Sequence, residues 1–206
     1  MARWLTAFVL TVALAAPARP LADPRKPVRS MLELRHDGVV PQGWDLSCGA
    51  AALSTLLTYE RGDPVSEPEV VAGLLQHADP KRIRNQGGFT LLDLKRYAAA
   101  RGYSPAGFGN VTLATLARLG PAIVPTLAGG RPHFMVFRGL VNGRVVLADP
   151  AYGNRIMQRE QFEAVWSPRV AFVVRGGPPG TRRRDETAST PLVPDAVIRG
   201  TARWAP

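Results

Sequence analysis

Cys48 is the single cysteine of the chain, so no intramolecular disulfide can form. It stands directly before Gly49-Ala50-Ala51, where a helix is expected to open. First-turn N–H groups of a helix lack intrahelical partners, and the helix dipole favours an anion at that end. Both effects favour the thiolate, the form in which cysteine is a nucleophile. Gly49 leaves room for a reactant to approach the sulfur. The plainer alternative is a buried, inert thiol, a common fate of free cysteine.

A cysteine nucleophile needs a base, and the base needs a third group to orient it. Three histidines are available. His36 lies in a leading arm and His77 in a helical segment ending in Ala78-Asp79-Pro80, and both read as surface residues. His133 opens a strand after the glycine-containing run Gly129-Gly130-Arg131-Pro132. Asp149 closes the next strand, in Leu147-Ala148-Asp149-Pro150. Pairing symmetric about Asn142-Gly143 sets His133 opposite a position near 152, with Asp149 at most three residues away. Asp149 can therefore reach the imidazole and fix its tautomer. It reads equally as a turn residue before Pro150. Gln42 precedes Cys48 by six residues. Its amide is a candidate oxyanion donor beside the Cys48 backbone N–H.

The elements that must hold these groups are legible in outline. Leu53, Leu56 and Leu57 fall on one helical face after Gly49. Ser66-Glu67-Pro68-Glu69 fits a capping box before a second helix. Thr90 and Asp93 fit another, opening a helix that stops at Gly102, and Thr112 starts a shorter one ending near Gly120. Ile123-Val124, between Pro121 and Pro125, reads as a strand start or a sheet edge. The runs 133–140 and 144–148, joined by Asn142-Gly143, predict a hairpin, and 170–174 a further strand. Helices followed by antiparallel strands make an α+β fold.

The chain has 206 residues, 26 Lys+Arg against 16 Asp+Glu, 20 Gly and 19 Pro. The charge clusters at the ends, in Arg25, Lys26, Arg29 and Arg182-Arg183-Arg184, and reads as solvated termini. No zinc knuckle or basic-aromatic pattern accompanies it, so no nucleic-acid partner is expected. Residues 1–22 read as a signal peptide, with Arg3, an apolar run over 4–16 and two cleavage patterns, Ala16-Pro17-Ala18 and Pro20-Leu21-Ala22; the alternative is an uncleaved N-terminal anchor. Residues 23–37 read as a linker arm, 38–175 as the folded domain and 176–206 as a flexible tail. No stretch is long enough for a stable membrane span after signal cleavage. Trp44 and Trp166 are candidate cleft aromatics, although tryptophan more often serves a core.

Three segments together resemble the motifs of bacteriocin-processing cysteine peptidases, the papain-like double-glycine leader peptidases. They are Gln42-Gly43-Trp44-Asp45-Leu46-Ser47-Cys48-Gly49, His133-Phe134-Met135-Val136-Phe137 and Val146-Leu147-Ala148-Asp149-Pro150-Ala151. The resemblance implies a papain-like fold without metal or organic cofactor. It implies Cys48 as nucleophile, His133 as general base and acid, Asp149 as orienting carboxylate and Gln42 as oxyanion donor. Ser47 stands where many members carry Asp. The transporter and ATPase that usually accompany the peptidase have no counterpart in this chain. It resembles instead a stand-alone exported subgroup that accompanies functional-amyloid or filament secretion in Gram-negative bacteria. The expected function is thus a periplasmic peptidase acting on a secreted protein or leader, its partner a co-secreted fibre subunit or a secretion-pore component. Double-glycine specificity stays open. The alternatives are a cell-wall amide hydrolase and a peptidase-shaped binding module that guides a fibre subunit.

Overall fold

Four fully buried residues in a row, Ala50 to Leu53, leave no solvent face on the first turns after Cys48. A helix buried all round must run through the core, and this one does. The computed structural model describes residues 29–181. The helix is α2 (Cys48–Thr55), extended by a π-helical turn (Leu56–Glu60). It follows a short α1 (Met31–Arg35) and precedes α3 (Glu67–Leu75), α4 (Pro80–Gln86) and α5 (Leu91–Ala100). The strands are β1 (Tyr103–Phe108), β2 (Ala122–Ala128), β3 (Arg131–Val141), β4 (Arg144–Asp149), β5 (Gly153–Met157) and β6 (Ala171–Gly176). Between them lie α6 (Leu113–Leu119) and α7 (Arg159–Val165). The six strands form one antiparallel sheet in the order β1-β6-β2-β3-β4-β5. The architecture is the expected α+β arrangement.

The sheet is covered on both faces. Ile123, Val136, Ala148, Phe172 and Val174 pack with α2 to α5, while Val124, Met135, Phe137, Val145, Leu147 and Val173 pack with α6 and α7. That is why β4 reads as a continuous apolar run, Val145-Val146-Leu147-Ala148, rather than an alternating one. Trp166 belongs to the second layer: it is fully buried, stacked on Phe162 at 5.2 Å, and its Nε1 donates to the Val170 carbonyl. Of the two candidate cleft tryptophans, only Trp44 is exposed.

The hairpin turn forms as its residues require, with positive φ at Asn142 (49°) and Gly143 (75°). Thr90 and Asp93 form a complete capping box; Ser66 caps α3 through the Glu69 N–H, while Glu69 turns away to Arg101. Elsewhere the structure departs from expectation. β2 is interior rather than an edge, and it tolerates Pro125 because pairing with β6 is confined to Ile123↔Phe172. The leading arm is partly built: Ser30 forms a capping box for α1, and Asn154 Nδ2 donates to the carbonyls of Arg35 and Asp37. The arm packs so closely that a side chain at Gly153 (φ +87°) would strike the Arg35 carbonyl. His36 is correspondingly half-buried, whereas His77 is exposed. The residues read as a signal peptide, and nearly all of the expected tail, lie outside the described part. No helix of the described residues is long and apolar enough to cross a membrane.

Candidate active site

The site assembles where the mouth of α2 meets the ends of β3 and β4. Cys48 is the first residue of α2 and is almost fully buried. Ser47, the N-cap, spends its hydroxyl on Trp44, donating to the carbonyl at 2.8 Å and accepting the N–H at 3.1 Å. It makes no side-chain cap to the helix. The first-turn N–H groups beside the sulfur are therefore not consumed by a capping side chain.

His133 comes from the start of β3, and its Nε2 lies 2.8 Å from Asp149 Oδ1. Cys48 is close enough to act on the ring electrostatically, among the groups that raise its pKa. With Nε2 engaged by the carboxylate, Nδ1 is the ring nitrogen left for another partner. Burial alone would lower the imidazole pKa, but the hydrogen bond to Asp149 and the charges of Asp149 and Cys48 more than offset it, raising it to about 9. The raised value favours the protonated ring at neutral pH.

A β-bulge makes this meeting possible. From Val141↔Arg144 to Gly139↔Val146 the hairpin keeps its symmetric register, then it slips by one to Phe137↔Leu147 and Val136↔Ala148, with Arg138 as the extra residue. Because side chains alternate, a slip of one changes which face each residue occupies. Unslipped, Asp149 would sit opposite Val136 and point away from the His133 side. Carried one step past Val136↔Ala148, the slipped register would set it level with Met135, on that side.

Asp149 is fully buried. Its Oδ1 also accepts the Ala151 N–H at 2.9 Å, and its Oδ2 takes Arg155 Nη1 at 3.1 Å. Burial pushes its pKa up, yet His133, the Ala151 N–H and Arg155 hold it below the ordinary carboxylate value. The Arg155 guanidinium in turn lies over the Tyr152 ring, 5.4 Å from its centroid. Arg155 escaped the sequence reading, since β5 carries no motif of its own. An arginine shortly after Asp-Pro was the one available cue.

Gln42 sits on the loop before α2. Its backbone N–H donates to the Pro150 carbonyl at 2.9 Å, which ties this loop to the turn after Asp149. Its side-chain Nε2 donates to the Trp44 carbonyl at 3.0 Å, and its Oε1 is buried with no hydrogen-bond partner. One Nε2 hydrogen is committed to Trp44 and a second is available. Among the described residues, no group of three or more His, Cys, Asp or Glu side chains is arranged to hold a metal ion.

A thiol at a helix mouth and a histidine–carboxylate pair from an antiparallel sheet are the groups that a papain-like cysteine peptidase would use. The fold is shared with solved C39 peptidase domains. One is the peptidase domain of Streptococcus ComA, a bi-functional ABC transporter (TM-score 0.54, 21% identity, 66% of this chain and 96% of that one). Another is a double-glycine-motif protease from an AMS/PCAT transporter in complex with its leader peptide (TM-score 0.55, 22% identity, 66% and 89%). The Peptidase C39 family model matches residues 37–177, and the chain belongs to that family of cysteine peptidases. Two similar relatives are each named "Probable functional amyloid protease FapD". The one from Pseudomonas aeruginosa is 36% identical over 182 residues, 84% of this chain and 80% of that protein. The one from Pseudomonas fluorescens is 37% identical over 153 residues, 73% and 66%.

Proposed function

We propose that this chain is an exported cysteine peptidase that cuts a peptide bond in a secreted protein of a functional-amyloid pathway. Cys48 thiolate adds to the carbonyl carbon. The oxyanion is met by the Cys48 backbone N–H and the Gln42 amide. His133 imidazolium gives its proton to the leaving amine, the C–N bond breaks and a thioester remains. The neutral ring then takes a proton from water, whose hydroxyl adds to the thioester, and the thiolate leaves. Asp149 holds the ring by Nε2 throughout, so that Nδ1 carries the proton traffic. The observation that supports this most is the His133 ring, held by Asp149 at 2.8 Å, with Cys48 among the groups that raise its pKa. Export is supported by the apolar run over 4–16 followed by Ala16-Pro17-Ala18. The amyloid substrate class is supported by the names of the two relatives.

The test combines the mature protein with each protein secreted alongside it and reads new termini by mass spectrometry, with Cys48→Ala as control. Discrete fragments from the wild type alone are expected. A co-secreted protein bound equally by both forms and cut by neither would contradict the peptidase role. Fractionation tests export: a periplasmic form shortened by about the first 22 residues is expected, and full-length protein confined to the cytoplasm would contradict it.

A further inference from the structure

Glu67 is a buried acid that no step above uses. It opens α3 and is 5% exposed. Its carboxylate accepts a hydrogen bond from the Gly43 backbone N–H with both oxygens, at 2.8 and 3.0 Å. Gly43 is the residue next to Gln42. A Cβ built there would lie 2.9 Å from Glu67 Oε2, so the absence of a side chain is what lets the carboxylate close on this backbone.

The same loop is gripped along its length. The Val40 N–H goes to Thr55 Oγ1, that of Gln42 to the Pro150 carbonyl, that of Trp44 to Ser47 Oγ and that of Ser47 to the Trp44 carbonyl. These anchors lie on α2, on the turn after β4 and within the loop itself. Glu67 is the anchor on α3, and it alone among them brings a carboxylate. The loop otherwise faces solvent, with Trp44 54% exposed. A surface loop held this firmly by backbone donors is preorganised.

We propose that Glu67 is a positioning residue for the oxyanion site: by clamping the Gly43 N–H it fixes the Gln42 amide where the developing negative charge needs a donor. This inference rests on the peptidase reading of Cys48, His133 and Gln42. A purely structural role for Glu67, as a carboxylate favouring the N-terminus of α3, would not require the contact with Gly43.

Two small reagents separate the roles without a known substrate. p-Nitrophenyl acetate acylates the thiolate through a tetrahedral oxyanion, whereas iodoacetamide alkylates it by direct displacement with no oxyanion. The ratio of the two rates therefore reads the oxyanion site alone. Gln42→Ala calibrates it. Glu67→Ala is expected to slow acylation by about tenfold or more while alkylation stays within about twofold of wild type across pH. Glu67→Gln, which keeps an acceptor for the Gly43 N–H, is expected to retain most of the acylation rate. Gly43→Ala displaces the clamp but leaves an acid on α3, so it is expected to behave like Glu67→Ala, and it carries the test should Glu67→Ala fail to fold. An unchanged ratio in Glu67→Ala and Gly43→Ala overturns the clamp, as does a parallel loss with both reagents. A wild type no more reactive than free cysteine toward either reagent overturns the peptidase reading, and the clamp with it.

Discussion

Strand β3 carries two bases five positions apart, the partly buried His133 and the buried Arg138, and each meets a buried acid from another element. His133 Nε2 lies 2.8 Å from Asp149, and Arg138 Nε lies 3.1 Å from Glu60, at the end of the π-helical turn. Adjacent residues of β5 complete the two pairs: Arg155 bonds Asp149, and Asn154 Oδ1 accepts from Arg138 Nη1 at 2.8 Å. Arg138 also donates through Nη2 to the Gly38 carbonyl. The construction is the same in both, but the bases differ. The His133 side chain is 12% exposed and titrates, while that of Arg138 is 2% exposed and its guanidinium stays charged. Burial pulls the Arg138 pKa down and Glu60 pushes it back. One pair can move a proton next to a thiol. The other can only fasten the arm and the helical layer to the sheet.

The largest effects should fall on the first pair. Cys48→Ala and His133→Ala are each expected to lower peptide cleavage by roughly a thousandfold or more with little change in the far-UV circular dichroism spectrum. Loss of folded structure in Cys48→Ala would mark a structural cysteine instead. Asp149→Asn keeps the shape and removes the charge, so a loss of about a thousandfold or more in kcat is expected, with KM far less affected.

The second pair should invert that pattern. Arg138→Met breaks the buried pair with Glu60 and is expected to cost roughly 3–5 kcal/mol, read by chemical denaturation. Activity per folded molecule should stay near wild type. A variant as stable as wild type would break the comparison, and so would one that is folded but inactive.

The pH dependence sharpens it further. His133 is raised to about 9 from an unfolded value near ~6.5. A raised base contributes stability that is fully present below the unfolded value and lost as pH rises through the folded one. Stability should therefore decline between about 6.5 and about 9, and cleavage should lose its general acid in a limb at the upper end of that range, as pH passes about 9. In Asp149→Asn the limb should move to lower pH, and in Arg138→Met it should stay in place. The smallest effect is expected from Arg155→Met. It loses one of three donors to Asp149 from a partly exposed position, so cleavage should fall by less than about tenfold. Arg155→Lys should restore part of it.

Local rules made half of this visible beforehand. A cysteine before Gly-Ala-Ala announces a helix mouth, Asn142-Gly143 announces a tight hairpin, and Thr90 with Asp93 announces a cap, because each depends on neighbours in the chain. The bulge at Arg138 is invisible locally. Its extra residue, Arg138, is buried against Glu60, and Glu60 is 78 residues away. Yet the bulge is what turns Asp149 toward His133. Glu67 and Arg155 were missed for the same reason, since each acts on a segment with which it shares no motif. β1 was hidden by its composition, as Tyr-Ser-Pro-Ala-Gly-Phe carries a proline and a glycine. β5, α7 and α4 are short, five to seven residues each, and give little periodicity to read. The start of the folded part was hidden because Asn154 holds Arg35 and Asp37 by their carbonyls, which any residue would supply.

An ion pair between Cys48 and His133, as proposed, is read most directly from the alkylation rate of Cys48 against pH, in the mature protein and in His133→Ala. The account predicts fast reaction well below ~8.5, where an unperturbed thiol ionises, and loss of that low-pH reactivity in the variant. Slow reaction with the same ordinary pH dependence in both proteins would contradict it.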